Sequence, residues 1–414
     1  MSKIAGKSAE IAKLDLESRK IVQWMKKFIP NKQGCLMAIR YYLIALLGFF
    51  TCLADATALE IDQPSVTFGV FGSLGIDHSS MGSGDYVVDG GIPKGSSLSQ
   101  NWSPTNDTRI AGHMAAQYSP KVSVVLQVDS EYHTGNSYEP EVEFANVKYA
   151  FTPDVYLRVG RVALPTFLES ENRDVGYTYA WVHPPVEVYR QESITHSDGI
   201  DVNYRLQIGD AGNNFKALFG RSTGEIGDSM SSLSFTSEHL WGIFDTIEYG
   251  STIVHIGYQQ RETDSGYYLT GQPGLSVEDS DLSAGIKYDP GNWFAMSEWI
   301  QRESTYKVNA MYVSGGYRIN KYTPYLTYAN SSQGSFMPGF PPPSPEGVVL
   351  ANRAQSTYSL GVRWDFMRDT DFKLQLDRVK LGDNSNGFLA NVPAGVDLSG
   401  QTFHVISAVL DFIF

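Results

Sequence analysis

Residues 358–377 read YSLGVRWDFMRDTDFKLQLD. Tyr358, Leu360, Val362, Trp364 and Phe366 alternate with Ser359, Gly361, Arg363 and Asp365. Past a four-residue turn at 367–370, Phe372, Leu374 and Leu376 alternate with Lys373, Gln375 and Asp377. A period of two puts each set on one face of a strand. The stretch predicts a β-hairpin with one apolar face and one charged face.

The same pattern spreads both ways along the chain. Ile406, Ala408, Leu410, Phe412 and Phe414 share one face of a final strand that runs to the last residue. Upstream, Leu282, Ala284, Ile286 and Tyr288 oppose Ser283, Gly285 and Lys287. Val155, Leu157 and Val159 oppose Tyr156 and Arg158, and Val122, Val124, Leu126 and Val128 oppose Ser123, Gln127 and Asp129. The first such strand is expected at about 65–74. Tight turn chemistry falls at 118–121, 151–154, 209–212, 249–251, 288–291, 319–321 and 367–370. Longer polar connections lie between these turns, at about 76–105, 132–138, 162–196, 223–238, 262–278, 331–354 and 382–400, with a short one near Glu303. About 16 strands result, with short turns at one end and long loops at the other, which is the pattern of a transmembrane barrel. Tyr118, Tyr149, Phe151, Tyr249, Tyr288, Trp293, Tyr317 and Phe366 sit near short turns, where a girdle of rings at headgroup level belongs. A strand ending flush at the C-terminus leaves an open edge unless it pairs with the first strand, which closes the cylinder.

Composition agrees. Residues 1–58 hold nine basic and four acidic residues. Taking these from the totals of 32 and 45 leaves 23 basic and 41 acidic residues, a net of −18. That charge disfavours nucleic acid as a partner. Both cysteines, Cys35 and Cys52, lie in the first 58 residues, so the remainder has no thiol for catalysis, disulfides or zinc. An apolar run at 42–53 follows Arg40 and precedes Ala56, Thr57 and Ala58. This is the pattern of a secretory signal peptide cleaved after Ala58, with Ala56 as the second choice. Residues 4–28 form a basic amphipathic pattern, and initiation at Met37 would leave a signal of ordinary length. A lipoprotein reading of Cys52 is weak, because Thr51 precedes it.

One connection breaks the rhythm. Residues 162–196 carry Glu169, Glu171, Asp174, Glu187 and Glu192, with Tyr177, Tyr179, Trp181 and Tyr189 between them. Pro184 and Pro185 rule out a continuous ladder there. Long loops in compact domains are usually functional or disordered, and this many rings argue for order. The rings offer either a surface for packing on the barrel wall or one for stacking sugars.

With about 16 strands, no cysteine after residue 58, a terminal Phe and a leader, residues 59–414 resemble the general Gram-negative outer-membrane porins. The resemblance implies a closed antiparallel barrel in the outer membrane, with both termini of the processed chain periplasmic and long loops outside. It also implies homotrimers set among outer-membrane lipid and lipopolysaccharide, recognition of Phe414 by the barrel-assembly machinery, and a lumen open to small hydrophilic solutes. The third long loop of such porins folds inward, and 162–196 is third by count. Acids on that loop face bases on the wall in the family. The candidates here are Glu169, Glu171, Asp174, Glu187 and Glu192 against Arg109, Lys148, Arg158 and Arg205, with Arg221 a further base. The family's usual Pro-Glu-Phe-Gly-Gly-like stretch is absent; GRVALP at 160–165 and VHPPV at 182–186 stand in its place.

Opposed charges at a narrow point select by field and width, and an acidic mouth enriches cations. Mild cation preference is the expectation. A substrate-specific channel for a sugar or organic acid is the alternative. A barrel enzyme fares worse: the histidines are scattered, and no HExxH, GxSxG, phosphate-loop, cofactor or metal pattern stands out. The acidic run at 278–281 fits no calcium-loop spacing. A secreted all-β adhesin would not need the terminal Phe or the short–long rhythm.

Overall fold

The computed structural model describes residues 64–227, 232–265, 276–304, 306–336 and 352–414. The expected leader and its preceding amphipathic segment lie outside these residues. The first six strands of the barrel are β1 (Ser65–Ser79), β2 (Arg109–Gln117), β3 (Val122–Glu131), β4 (Glu141–Ala150), β5 (Val155–Ala163) and β6 (His196–Ile208). There follow β7 (Ala211–Gly227), β8 (Ser232–Tyr249), β9 (Thr252–Ser265), β10 (Ser276–Tyr288) and β11 (Trp293–Glu303). The last five are β12 (Tyr306–Tyr317), β13 (Tyr322–Phe336), β14 (Gln355–Met367), β15 (Thr370–Leu381) and β16 (Thr402–Ile413).

Each strand pairs antiparallel with its neighbours in sequence, and β1 also pairs with β16, closing a barrel of sixteen strands. Val70 N–H donates to the Phe414 carbonyl at 2.9 Å, and Phe414 N–H donates to the Val70 carbonyl at 2.7 Å. The chain's last residue is thus hydrogen-bonded into the first strand, and no edge is left open.

Alternation fixes which side each residue takes. Val66, Phe68, Leu74, Ile76, Ile110, Phe219, Leu326, Leu360 and Ile406 all point outward and are exposed. Exposed apolar surface on this scale is far beyond what a water-soluble monomer carries. At the short-turn end, Tyr149 packs on Phe151, Tyr288 on Trp293, Tyr322 on Trp364 and Phe412 on Phe414. The turns use residues that tolerate positive φ, such as Asn320 at 55° and Asp369 at 59°.

Several strands outrun the alternation. The connection expected at 223–238 shrinks to 228–231, because β7 and β8 pair as far as Gly227 and Ser232. Strands β9 and β10 likewise pair as far as Asp264 and Ser276, inside the connection expected at 262–278. Strand β1 continues past Leu74 to Ser79. The ladder needs only backbone groups, so it persists after the outer face leaves its apolar band and both faces turn polar.

Among the described residues, two loop regions fill the long-loop end. Met81 and Tyr86, from the first long connection, pack with Leu398 of the last one and with Val379, Leu381, Phe403 and Val405 of the wall. The third connection lies inside the barrel and carries the charged site.

Candidate functional site

The inward loop spans 164–195, between β5 and β6. Gly160 sets its departure. Its φ of 124° suits glycine, and a Cβ there would lie 2.2 Å from the Ala145 carbonyl oxygen. The neck closes where Leu164 N–H donates to the Thr195 carbonyl at 2.8 Å. Inside, the chain makes a 3₁₀ turn at Gly176–Thr178 and one helical turn, α1, at Val186–Tyr189. Pro185 caps α1, where its missing N–H costs nothing. Gly176 passes so near the wall that a Cβ would lie 2.2 Å from an Asp411 carboxylate oxygen.

One face of the loop is packing. Phe167, Tyr179, Trp181, Val188 and Tyr189 bury against Phe294, Met296, Ile300, Tyr312, Tyr325 and Ala329 of β11–β13. The Trp181 indole N–H donates to Ser314 Oγ at 2.9 Å and Thr327 Oγ1 at 3.1 Å. Glu298, buried in the wall, accepts from the Tyr189 and Tyr312 hydroxyls at 2.7 Å each and from Leu168 N–H at 2.7 Å. Three donors satisfy a carboxylate that would otherwise be costly to bury. Tyr179, Trp181 and Tyr189 thus have no free ring face, and Tyr177 lies under Arg363, whose guanidinium carbon is 4.7 Å from the ring centroid.

The wall also holds the loop by its backbone. Arg363 donates to the carbonyls of Tyr177 at 2.6 Å and Tyr179 at 3.0 Å. Lys373, fully buried, donates to the Gly176 carbonyl at 2.6 Å and pairs with Asp411 at 2.9 Å.

The five candidate acids meet the wall in different ways. Asp174 pairs with Arg109 at 2.9 Å. Glu171 pairs with Lys216 at 2.6 Å and lies 3.7 Å from Arg158, which is itself held by Asp201. Glu169 pairs with Lys287 at 2.8 Å. Glu192 pairs with Arg261 at 2.8 Å within a buried group that includes Asp279, Asp281 and Arg302. Glu187 accepts hydrogen bonds from Thr357 and from Gln355, the latter at 2.7 Å. Burial pushes the Glu187 carboxyl above the usual range, and those two donors only partly offset this. Glu171 is the opposite case. The Lys216 ammonium pulls its carboxyl down to about 2, against partial burial and with help from Arg158. Its side chain is 50% exposed, so this charge faces open space rather than protein.

The bases need two corrections. Arg221 projects from the opposite face to the lumen, beside Asp198 and the Arg161–Asp198 ion pair. It lies one residue out of phase with Lys216, Leu218 and Gly220. Lys148 and Arg205 are on the lumen face but do not meet the loop acids: they gather around Tyr156, 4.4 and 5.8 Å from its ring centroid. The bases that pair with the loop but were missed are Lys216, Lys287 and Arg261. Phase alone marks the first two, since Lys216 lies between Phe215 and Ala217, and Lys287 between Ile286 and Tyr288. Arg261 sits in a polar run with no alternation to read.

Above the loop, a cavity of about 180 Å³ remains beside β2–β4, lined by Asp129, Glu131, Glu143 and Asp174 with Arg109 and Arg173. His183 of the loop joins the first long connection at this level. Its Nδ1 lies 3.1 Å from Asp107 and its Nε2 3.0 Å from the Tyr86 hydroxyl. Burial works against charge on this imidazole, but Asp107, with Asp377 and Asp77 behind it, holds the pKa above the usual value.

No protein-family model matches the sequence, and no curated protein is similar to it. Solved structures are similar in fold. An anion-selective porin from Comamonas acidovorans aligns with TM-score 0.54 and 13% identity, over 85% of this chain and 100% of that one. Salmonella typhi OmpF in complex with daunomycin aligns with TM-score 0.51 and 12% identity, over 84% and 97%. The trimer form of in-vitro folded OmpT from Vibrio cholerae gives 0.51 and 11%, over 85% and 100%. The chain therefore has the closed sixteen-strand barrel of outer-membrane porins, at identities that speak for the fold alone.

Proposed function

We propose that this chain is an outer-membrane channel through which small hydrophilic solutes and ions diffuse, narrowed by the loop at 164–195. The observation that carries the reading is the pairing of loop acids with wall bases inside a barrel whose outer face is apolar. Glu171 faces Lys216 and Arg158, and Asp174 faces Arg109. Ion pairs lining a path with a low-dielectric wall set up a local field that orders water and disfavours apolar solutes.

The sign of selectivity follows from the mouth. Asp89, Glu141, Asp174 and Glu225 outnumber Arg109 and Arg173 around the cavity, so cations concentrate there. The Comamonas porin is named for the opposite preference, so the sign for this chain is argued from its own charges. Reversal potentials of the reconstituted protein in a potassium chloride gradient are expected to have the cation-selective sign. The anion-selective sign would remove this part of the reading, and a protein that refolds but does not conduct would remove all of it.

The trimer form of the Vibrio cholerae protein supports a homotrimer. Lipid and lipopolysaccharide surround the apolar band, and Phe414 serves as the assembly signal. The buried rings of Tyr179, Trp181 and Tyr189 favour a general pore over one that stacks sugars on this loop.

A further inference from the structure

Toward the short-turn end of β4–β7, the lumen wall holds more positive charge than its neighbours neutralise. Lys148, Arg158, Arg205 and Lys216 stand there with two carboxylates, Glu171 and Asp201. Asp201 holds Arg158, and Glu171 holds Lys216. Among the described residues, Lys148 and Arg205 have no carboxylate within ion-pair distance. Lys148 also lies directly opposite Arg158 in the β4–β5 register. Like charges directly across a strand pair are destabilising, so fold stability does not account for the arrangement.

The two cations converge on one phenol. The Lys148 ammonium is 4.4 Å and the Arg205 guanidinium carbon 5.8 Å from the Tyr156 ring centroid. Tyr156 faces Asn203 across β5–β6, two residues before Arg205 on the same strand. Arg205 is exposed, and Lys148 and Tyr156 are partly so. An ammonium, a guanidinium fork and a phenol hydroxyl together offer donors suited to a carboxylate or phosphate.

We infer that Lys148, Tyr156 and Arg205 form a passing-contact site for the oxyanion group of a small solute, on the short-turn side of the loop. The inference rests on the channel reading. Open to solvent and screened by salt, the site holds an anion weakly enough to release it, as conduction requires.

Inorganic phosphate and succinate, each added at the short-turn side during recordings in potassium chloride, test the site. At least one is expected to reduce the current through the unaltered channel, and which of them does so identifies the preferred oxyanion. In the K148Q/R205Q variant the half-blocking concentration is expected to rise by about tenfold or more. Tyr156→Phe, which keeps the ring, is expected to raise it by a smaller factor. Arg378→Gln, on the outer face, is expected to leave it unchanged. Heat-modifiable migration in gels checks that each variant folds. The same half-blocking concentration in K148Q/R205Q as in the unaltered channel would overturn the site, as would a conducting channel indifferent to both anions. A folded protein that conducts nothing would instead overturn the channel reading, so the two failures are distinct.

Discussion

Replacing Arg261 with alanine is expected to loosen the C-terminal arm of the inward loop and widen the channel. Arg261 is buried, as are Glu192, Asp279 and Asp281 around it. It donates to Glu192 at 2.8 Å and to Asp281 at 3.0 Å. Arg302 cannot take over, because it already faces Asp279 at 3.4 Å and donates to the Gln191 carbonyl. Gln259 still donates to Glu192 at 2.6 Å and to Asp281 at 2.8 Å, but it carries no charge, and removing the cation of such a buried cluster costs about 3–5 kcal/mol. The loop acid is the one partner free to leave, since Asp279 and Asp281 are fixed in the β9–β10 ladder. The R261A variant is therefore expected to unfold at lower urea concentration and to show higher, noisier single-channel conductance. Unchanged stability and conductance would mean that the ionic cluster does not hold the loop.

Trp181→Ala is expected to act on the other anchor, at a cost of about 3–5 kcal/mol for an emptied core site. Trp181 is 2% exposed and packs edge-on against Tyr312, with ring centroids 5.5 Å apart. Its hydrogen bonds should matter less than its volume. Ser314 and Thr327, which accept from the indole, lie 2.7 Å from each other and stay partnered without it. The loss is then one of packing, and Trp181→Phe should recover a large part of it. Chemical unfolding of the refolded barrel checks the order: alanine lowest, phenylalanine between, Trp181 highest. Equal stability of all three would show that the aromatic face does not secure the loop.

The barrel was legible because a period of two is a strong signal wherever one face meets an apolar medium. The 358–377 hairpin carries it, and its residues pair in register from Tyr358 with Arg378 to Trp364 with Phe372, with an irregularity only next to the turn, between Trp364 and Met367. Legibility failed where both faces become polar, at the long-loop ends of β7 to β10, because backbone pairing leaves no mark on the side-chain pattern there. The inward loop showed itself through composition and position. Its partners were harder to read, since a strand's phase says that Lys287 faces the lumen but not which loop residue it meets. Lys148 and Arg205 illustrate the same limit: correct phase put them in the lumen, while their height along the barrel put them beside Tyr156. Arg221 failed on phase itself.

If the loop acids border the path of ions, Glu171 is the one best placed to show it, because its side chain is half exposed. Residues 59–414 contain no cysteine. A Glu171→Cys variant of this region can therefore be treated, during recording, with a bulky charged thiol reagent that cannot cross the bilayer. The conductance is expected to fall stepwise as each channel reacts, with no change in the protein lacking the substitution. Full modification, verified by mass, with the current unaltered would contradict the claim.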